Sequence, residues 1–134
     1  MTVDERSMDA ATADRVEAMA AEAETLDGVA PLGEQPLRAL RAPSARVRHF
    51  LASAPGTDGP AGYAQLTGSG PGSSAELVVH PGHRRRGLGT ALVRAVLEAE
   101  PDVAVWAHGD LPAARGLADG MGLARTRELL TTLL

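Results

Sequence analysis

Apolar and polar positions alternate along the 134-residue chain with two different periods, and each period marks an element. Over residues 12–26, Val16, Met19, Ala20 and Ala23 recur at helical spacing beside Asp14, Glu17, Glu22 and Glu24, which predicts an amphipathic helix closed by a turn at Asp27-Gly28. Pro36 suits a first helical turn, Leu37 and Leu40 share a face and Pro43 is a stop, so a second, short helix is expected. Strands are expected over residues 46–52 and Gly62–Thr67, joined as a hairpin across the turn-forming run Pro55-Gly56-Thr57-Asp58-Gly59-Pro60. A Gly- and Ser-rich connection over residues 68–74 leads to Glu76-Leu77-Val78-Val79-His80, a central strand ended by Pro81-Gly82.

Leu88, Ala91, Leu92, Ala95, Val96 and Ala99 then give the strongest helical repeat in the chain, broken by Pro101-Asp102. A strand over residues 103–107, a third long helix over 111–121 and a final strand over 123–134 complete the pattern, with Asp110 near the helix start and Gly122 placed to end it. No internal repeat is visible. The order of elements predicts an α/β domain with a mixed, mostly antiparallel sheet, one parallel βαβ crossover and flanking helices. A single domain is expected over residues 1–134, with residues 1–10 as a flexible tail.

Composition narrows the function classes. Apolar residues at 44% and charged residues at 22% are an ordinary globular mix, and no apolar run approaches the roughly 18 residues of a membrane-spanning helix. The opening Met1-Thr2-Val3-Asp4-Glu5-Arg6 has neither the basic nor the apolar part of a secretory signal, so a cytoplasmic location is expected. With no cysteine there is no disulfide, thiolate metal site or cysteine nucleophile, and with every basic side chain an arginine there is no Schiff-base lysine. A net charge of −4 at pH 7 argues against a nucleic-acid surface; the run Arg84-Arg85-Arg86 has only Phe50, Tyr63 and Trp106 as aromatic company in the whole chain, no stacking platform for RNA.

The chemistry concentrates in Val79-His80-Pro81-Gly82-His83-Arg84-Arg85-Arg86-Gly87-Leu88-Gly89-Thr90, between a strand and a helix. Glycines at a helix start leave its unpaired N–H groups open to an anion, and the helix dipole adds to the attraction, so this is a phosphate cradle. Walker A spacing holds for Gly82 and Gly87, but Leu88 and Gly89 stand where Lys and Ser or Thr are required. The dinucleotide fingerprint fails as well, because Leu92 stands where its third glycine belongs. A glycine-rich turn beneath a solvated arginine cluster is the competing reading. His80 and His83 have no third metal ligand at suitable spacing, so no metal is expected.

The remaining pattern, Arg-x-x-Gly-x-Gly after Val-x-Pro, resembles the GCN5-related N-acetyltransferase (GNAT) family. Residues 27–35, 75–81 and 106–111 together with Arg127-Glu128-Leu129 are similar, in order, to the N-terminal half of the mycothiol synthases, a branch of that family whose members are tandems of two such domains. The resemblance implies acetyl-CoA as co-substrate, contacted by Leu77, Val78 and Val79 of the strand and by Arg85, Arg86, Gly87, Leu88, Gly89 and Thr90 of the loop. It implies a small amine as acceptor, the cysteinyl amine of cysteinyl-glucosaminyl-inositol, with Glu34 as the substrate-binding carboxylate. It also raises a second acetyltransferase domain, or a homodimer, as a possible partner.

Acetyl transfer needs a deprotonated amine, a stabilised oxyanion and a proton for the leaving thiolate. Glu76 and His108 are the candidate catalytic residues; read without the family, Glu76 is a solvated strand residue, His108 a helix-entry hydrogen-bonder and Glu34 a first-turn helix carboxylate. The family's oxyanion donor, a backbone N–H, falls near Val79, whereas its usual thiolate donor, a tyrosine on the last helix, falls on Ala118, and the asparagine that accompanies it on Leu111. Two expectations follow: an acetyl-CoA-dependent N-acetyltransferase, or a catalytically weak acetyl-CoA-binding domain that pairs with another.

Overall fold

A computed structural model of the chain describes residues 2–28, 30–42, 44–56, 59–83, 87–106, 123–126 and 129–133, with Trp106 and the last two segments described by their backbone alone. In chain order the described elements are β1 (Thr2–Arg6), α1 (Ala10–Asp27), α2 (Glu34–Ala39), β2 (Val47–Ser53), β3 (Gly62–Thr67), β4 (Ser74–Val79), α3 (Leu88–Ala99), β5 (Ala104–Trp106), β6 (Leu123–Thr126) and β7 (Leu129–Leu133). The five-stranded sheet runs β1-β2-β3-β4-β5, antiparallel except where β4 meets β5 after the α3 crossover, in agreement with the expected mixed sheet.

Two expectations are corrected. Residues 1–10 are not simply a tail: Thr2–Arg6 forms the edge strand β1, antiparallel to β2. Its side chains alternate too weakly to signal a strand, since Val3 alone packs on the core, and it is held by the ladder and by Arg48, whose Nε and Nη2 each reach Glu5 at 2.7 Å. The final strand expected over 123–134 is two, β6 and β7, paired antiparallel in a separate sheet, and the charged pair Arg127-Glu128 falls between them. The long helix expected over 111–121 lies outside the described residues.

Local rules explain the helices. Asp9 caps α1 by accepting from the Thr12 N–H at 2.7 Å, and Gly28 ends it at φ 78° with its N–H on the Glu24 carbonyl. Ala13, Val16, Met19, Ala20 and Ala23 form its buried stripe. In α2 no side chain is buried, so the helix is held by its flanks, Leu32 and Leu40, and by Arg41, which pairs with Asp14 at 2.6 Å and Glu17 at 2.8 Å on α1.

Each strand sends alternate residues to two cores. Phe50, Ala52, Ala64, Leu66 and Ala75 pack against Leu88, Leu92, Val93 and Val96 of α3, while Leu51, Tyr63 and Val78 pack against α1. Gly62 is required by the first of these cores: a Cβ there would lie 3.0 Å from Leu92 Cδ1 and 3.4 Å from the Val78 carbonyl oxygen.

Candidate active site

The crossover brings the end of β4 to the start of α3. Gly87 caps that helix in the left-handed conformation, φ 81° and ψ 5°, which favours glycine, and no side chain caps the helix. Leu88 is buried beneath the sheet and anchors the first turn, so the first N–H groups of α3, at Leu88, Gly89 and Thr90, are left without an intrahelical partner. On β4, Ser74, Ala75 and Glu76 pair with β5, whereas Leu77, Val78 and Val79 pair with Ala64, Tyr63 and Gly62 of β3 and have no β5 partner among the described residues. Of the sequence-predicted positions, Leu77, Val78 and Val79 of the strand and Gly87, Leu88, Gly89 and Thr90 of the loop therefore flank one corner. Arg84, Arg85 and Arg86 lie outside the described residues.

The turn before that corner is pinned to α1. His80 Nδ1 accepts from the Gly82 N–H at 3.0 Å, so its ring proton sits on Nε2, which faces Glu22 Oε2 at 2.7 Å. The His80 N–H binds the Ala61 carbonyl and the His83 N–H the His80 carbonyl, both at 2.8 Å, closing a short 3₁₀ turn over Pro81–His83. With both ring nitrogens engaged, His80 is a structural pin. Among the described residues no group of acidic or histidine side chains is arranged to hold a metal ion.

The other face of the sheet carries the carboxylates. Glu76 Oε1 accepts from the Gly33 N–H at 3.2 Å, and Gly33 is the N-cap of α2, so the carboxylate is tied to the start of that helix. Glu34, the next residue, is exposed and pairs with Arg38 one turn on. The structure thus brings the two predicted carboxylates to one helix start, Glu76 half-buried beneath it and Glu34 on its outer side. His108, Leu111 and Ala118 lie outside the described residues.

Sequence reasoning missed a polar row on this face. Arg6, His49, Gln65 and Glu76 occupy consecutive register positions across β1, β2, β3 and β4. Tyr63 joins it, with its hydroxyl 2.6 Å from His49 Nδ1 and 2.9 Å from Gln65 Nε2. Burial pushes the Tyr63 phenol above its ordinary value and the His49 imidazole below 6.5. The available signal was Gln65, a polar residue within an otherwise apolar strand. His49 also lines a cavity of about 570 Å³ walled by Met8, Leu40, Val47 and Arg41, at the opposite end of the strands from the glycine loop.

Comparison with known proteins agrees with this fold. A family model described as acetyltransferase (GNAT) domain matches residues 45–118. A mycothiol acetyltransferase of Sanguibacter keddieii is 50% identical over 132 residues, covering 95% of this chain and 41% of that protein. Among solved structures, a GCN5-related N-acetyltransferase from Sphaerobacter thermophilus superposes with a TM-score of 0.70 at 24% identity, over 91% of this chain and 43% of that one. An N-acetyltransferase from Thermoplasma acidophilum in complex with coenzyme A gives 0.63 at 12% identity, over 98% of each chain. This chain thus spans about 41% of the length of the curated relative. No helix among the described residues is long and apolar enough to cross a membrane.

Proposed function

The chain belongs to the acetyltransferase (GNAT) domain family, and from that premise we propose that it binds acetyl-CoA at the β4–α3 corner and transfers the acetyl group to a small amine. The observation that carries this reading is the uncapped α3 start behind a left-handed Gly87, adjoining the stretch of β4 that pairs on one side only among the described residues. The N–H groups of Gly87, Leu88, Gly89 and Thr90, with Arg85 and Arg86, suit a pyrophosphate, and the backbone of Leu77, Val78 and Val79 suits the amide-bearing pantetheine arm.

In this mechanism Glu76, held by Gly33, takes the proton of the acceptor amine directly or through water, with His108 as the other candidate base. Attack by the amine nitrogen forms the C–N bond, a backbone N–H near Val79 steadies the oxyanion, and collapse restores the carbonyl and breaks the C–S bond, releasing a thiolate that takes its proton from water. Glu34 offers its carboxylate to an amino or hydroxyl group of the acceptor. The name of the half-identical relative supports a cysteinyl-aminosugar, the cysteinyl amine of cysteinyl-glucosaminyl-inositol, as that acceptor. The share of the relative that is matched, together with Ala118 where a tyrosine is expected, favours a second reading in which this domain holds acetyl-CoA, transfers slowly and pairs with a further domain.

Calorimetry with acetyl-CoA tests the site. Gly89→Glu sets a carboxylate at the helix start and should abolish binding, and equal affinity in both proteins rules the assignment out. Release of free CoA with candidate amines separates the two readings: turnover of roughly 1 to 10³ per second supports the catalyst, and binding without turnover supports the paired domain.

A further inference from the structure

Beneath α2 lies a hydrogen-bond chain whose direction one atom decides. Gln65 Nε2 is 2.9 Å from the Pro36 carbonyl oxygen and 2.9 Å from the Tyr63 hydroxyl, which is 2.6 Å from His49 Nδ1. The Pro36 oxygen can only accept, so the amide atom facing it is the nitrogen, and that nitrogen gives its two hydrogens to Pro36 and Tyr63. The Tyr63 oxygen is thereby an acceptor and its own hydrogen goes to His49 Nδ1. His49 is left as the neutral tautomer with its proton on Nε2.

The middle of the chain is shut off from water, with Tyr63 0% and Gln65 2% exposed, while His49, 9% exposed, borders the cavity. An imidazolium at His49 would turn Nδ1–H toward the Tyr63 hydroxyl and strip that hydrogen of its acceptor. We infer that His49, Tyr63 and Gln65 are positioning residues, a one-way chain that seats α2 on the sheet through Pro36 and so holds the Gly33 N–H against Glu76, assembled only while His49 is uncharged. The inference rests on the role given to Glu76 above.

The surroundings agree. Facing His49 are Arg6 from β1, its register partner, and around the shared cavity Glu5, Asp9, Arg41 and Arg48. Arg48 is engaged by Glu5, Arg41 by Asp14 and Glu17 of α1, and Asp9 by the Thr12 N–H and by the charge of Arg6, so each carboxylate around the cavity already serves another group. Desolvation acts in the same direction and lowers the His49 value from 6.5. The folded state therefore binds this proton less readily than the unfolded chain, and the stability it contributes is complete above about pH 6.5 and falls as pH drops below it.

Ring nitrogen-15 NMR of His49, assigned with His49→Gln, tests the direction, and amide exchange at Gly33 tests the seating. Expected are a neutral ring protonated on Nε2 at pH 7.5, and its conversion to an Nδ1-protonated or charged ring in Gln65→Glu, where the side chain can no longer donate to Tyr63. Gln65→Leu should speed Gly33 exchange by about five- to tenfold, as loss of one buried hydrogen bond implies, with acetyl-CoA affinity unchanged and kcat lowered more than acceptor KM is raised. Tyr63→Phe should raise the rate less, because Gln65 keeps Pro36, and should flatten the pH dependence of the Gly33 protection factor, the rate relative to an unstructured amide, between pH 5 and 7. An Nδ1-protonated ring in the unmodified protein, or Gly33 exchange unaltered in Gln65→Leu, overturns the inference. Failure of the unmodified protein to bind acetyl-CoA removes instead the role of Glu76, while the ring and exchange measurements still decide the chain.

Discussion

The α3 and α2 contacts of the central sheet are held by different physics. Against α3 the contact is wholly apolar, with Phe50, Ala64, Leu66 and Ala75 meeting Leu88, Leu92, Val93 and Val96 and glycine at position 62 to admit Leu92. On the opposite face α1 lays its own apolar stripe on Leu51, Tyr63 and Val78, but under α2 no helical side chain is fully buried, and beside the half-buried Leu37 the contact is made by hydrogen bonds from Gln65 to Pro36 and from Gly33 to Glu76. Close packing resists deformation everywhere at once, so the α3 face suits a cradle whose amide geometry must not vary. A few directional bonds hold one arrangement and release it when a single partner is lost.

The contrast is broken most severely from the apolar side. Leu92→Ala should lower unfolding free energy by about 2–5 kcal/mol in urea titration, because the side chain is buried among α3 and three strands and the cavity cannot close. On the polar side Tyr63→Phe should cost less, about 1–3 kcal/mol, from the His49 and Gln65 atoms left without their partner. Where the faces converge, Gly87→Ala should cost about 1–2 kcal/mol for a Cβ in the left-handed region and weaken acetyl-CoA in calorimetry.

The smallest effect belongs to the β1 edge. Arg48 holds the Glu5 carboxyl below 4.5, chiefly by hydrogen bonding, so this contribution is present above about pH 4.5 and fades as pH falls through the lower folded value. Both partners are substantially exposed, and Glu5→Gln should cost at most about 1 kcal/mol, an effect that 1 M salt erases in thermal denaturation.

The apolar face and the cradle were legible in the sequence because both are written in neighbouring residues: the i, i+3, i+4 repeat of α3 and the glycines before it need no distant partner. Glu76 was legible as a residue type but not as a contact, since Gly33 is 43 positions away. His49 and Tyr63 were hidden by β2 and β3, which are buried on both faces and so show no alternation that would mark an inward polar side chain. For β1 the opposite holds, because an exposed edge strand asks little of its sequence beyond a free backbone.

The pairing of that edge strand also sets an order in time. Arg6 meets His49 and Thr2 meets Ser53 across both helices, whereas β2, β3 and β4 join consecutive neighbours through short connections. Closing the longer loop forfeits more chain entropy before any ladder bond forms, so the β2-β3-β4 meander can assemble first and β1 docks last. Unfolding retraces this order. The first amides of the sheet to exchange with solvent should be those that tie β1 to β2, leaving the Gly62–Thr67 strand and everything mounted on it in place.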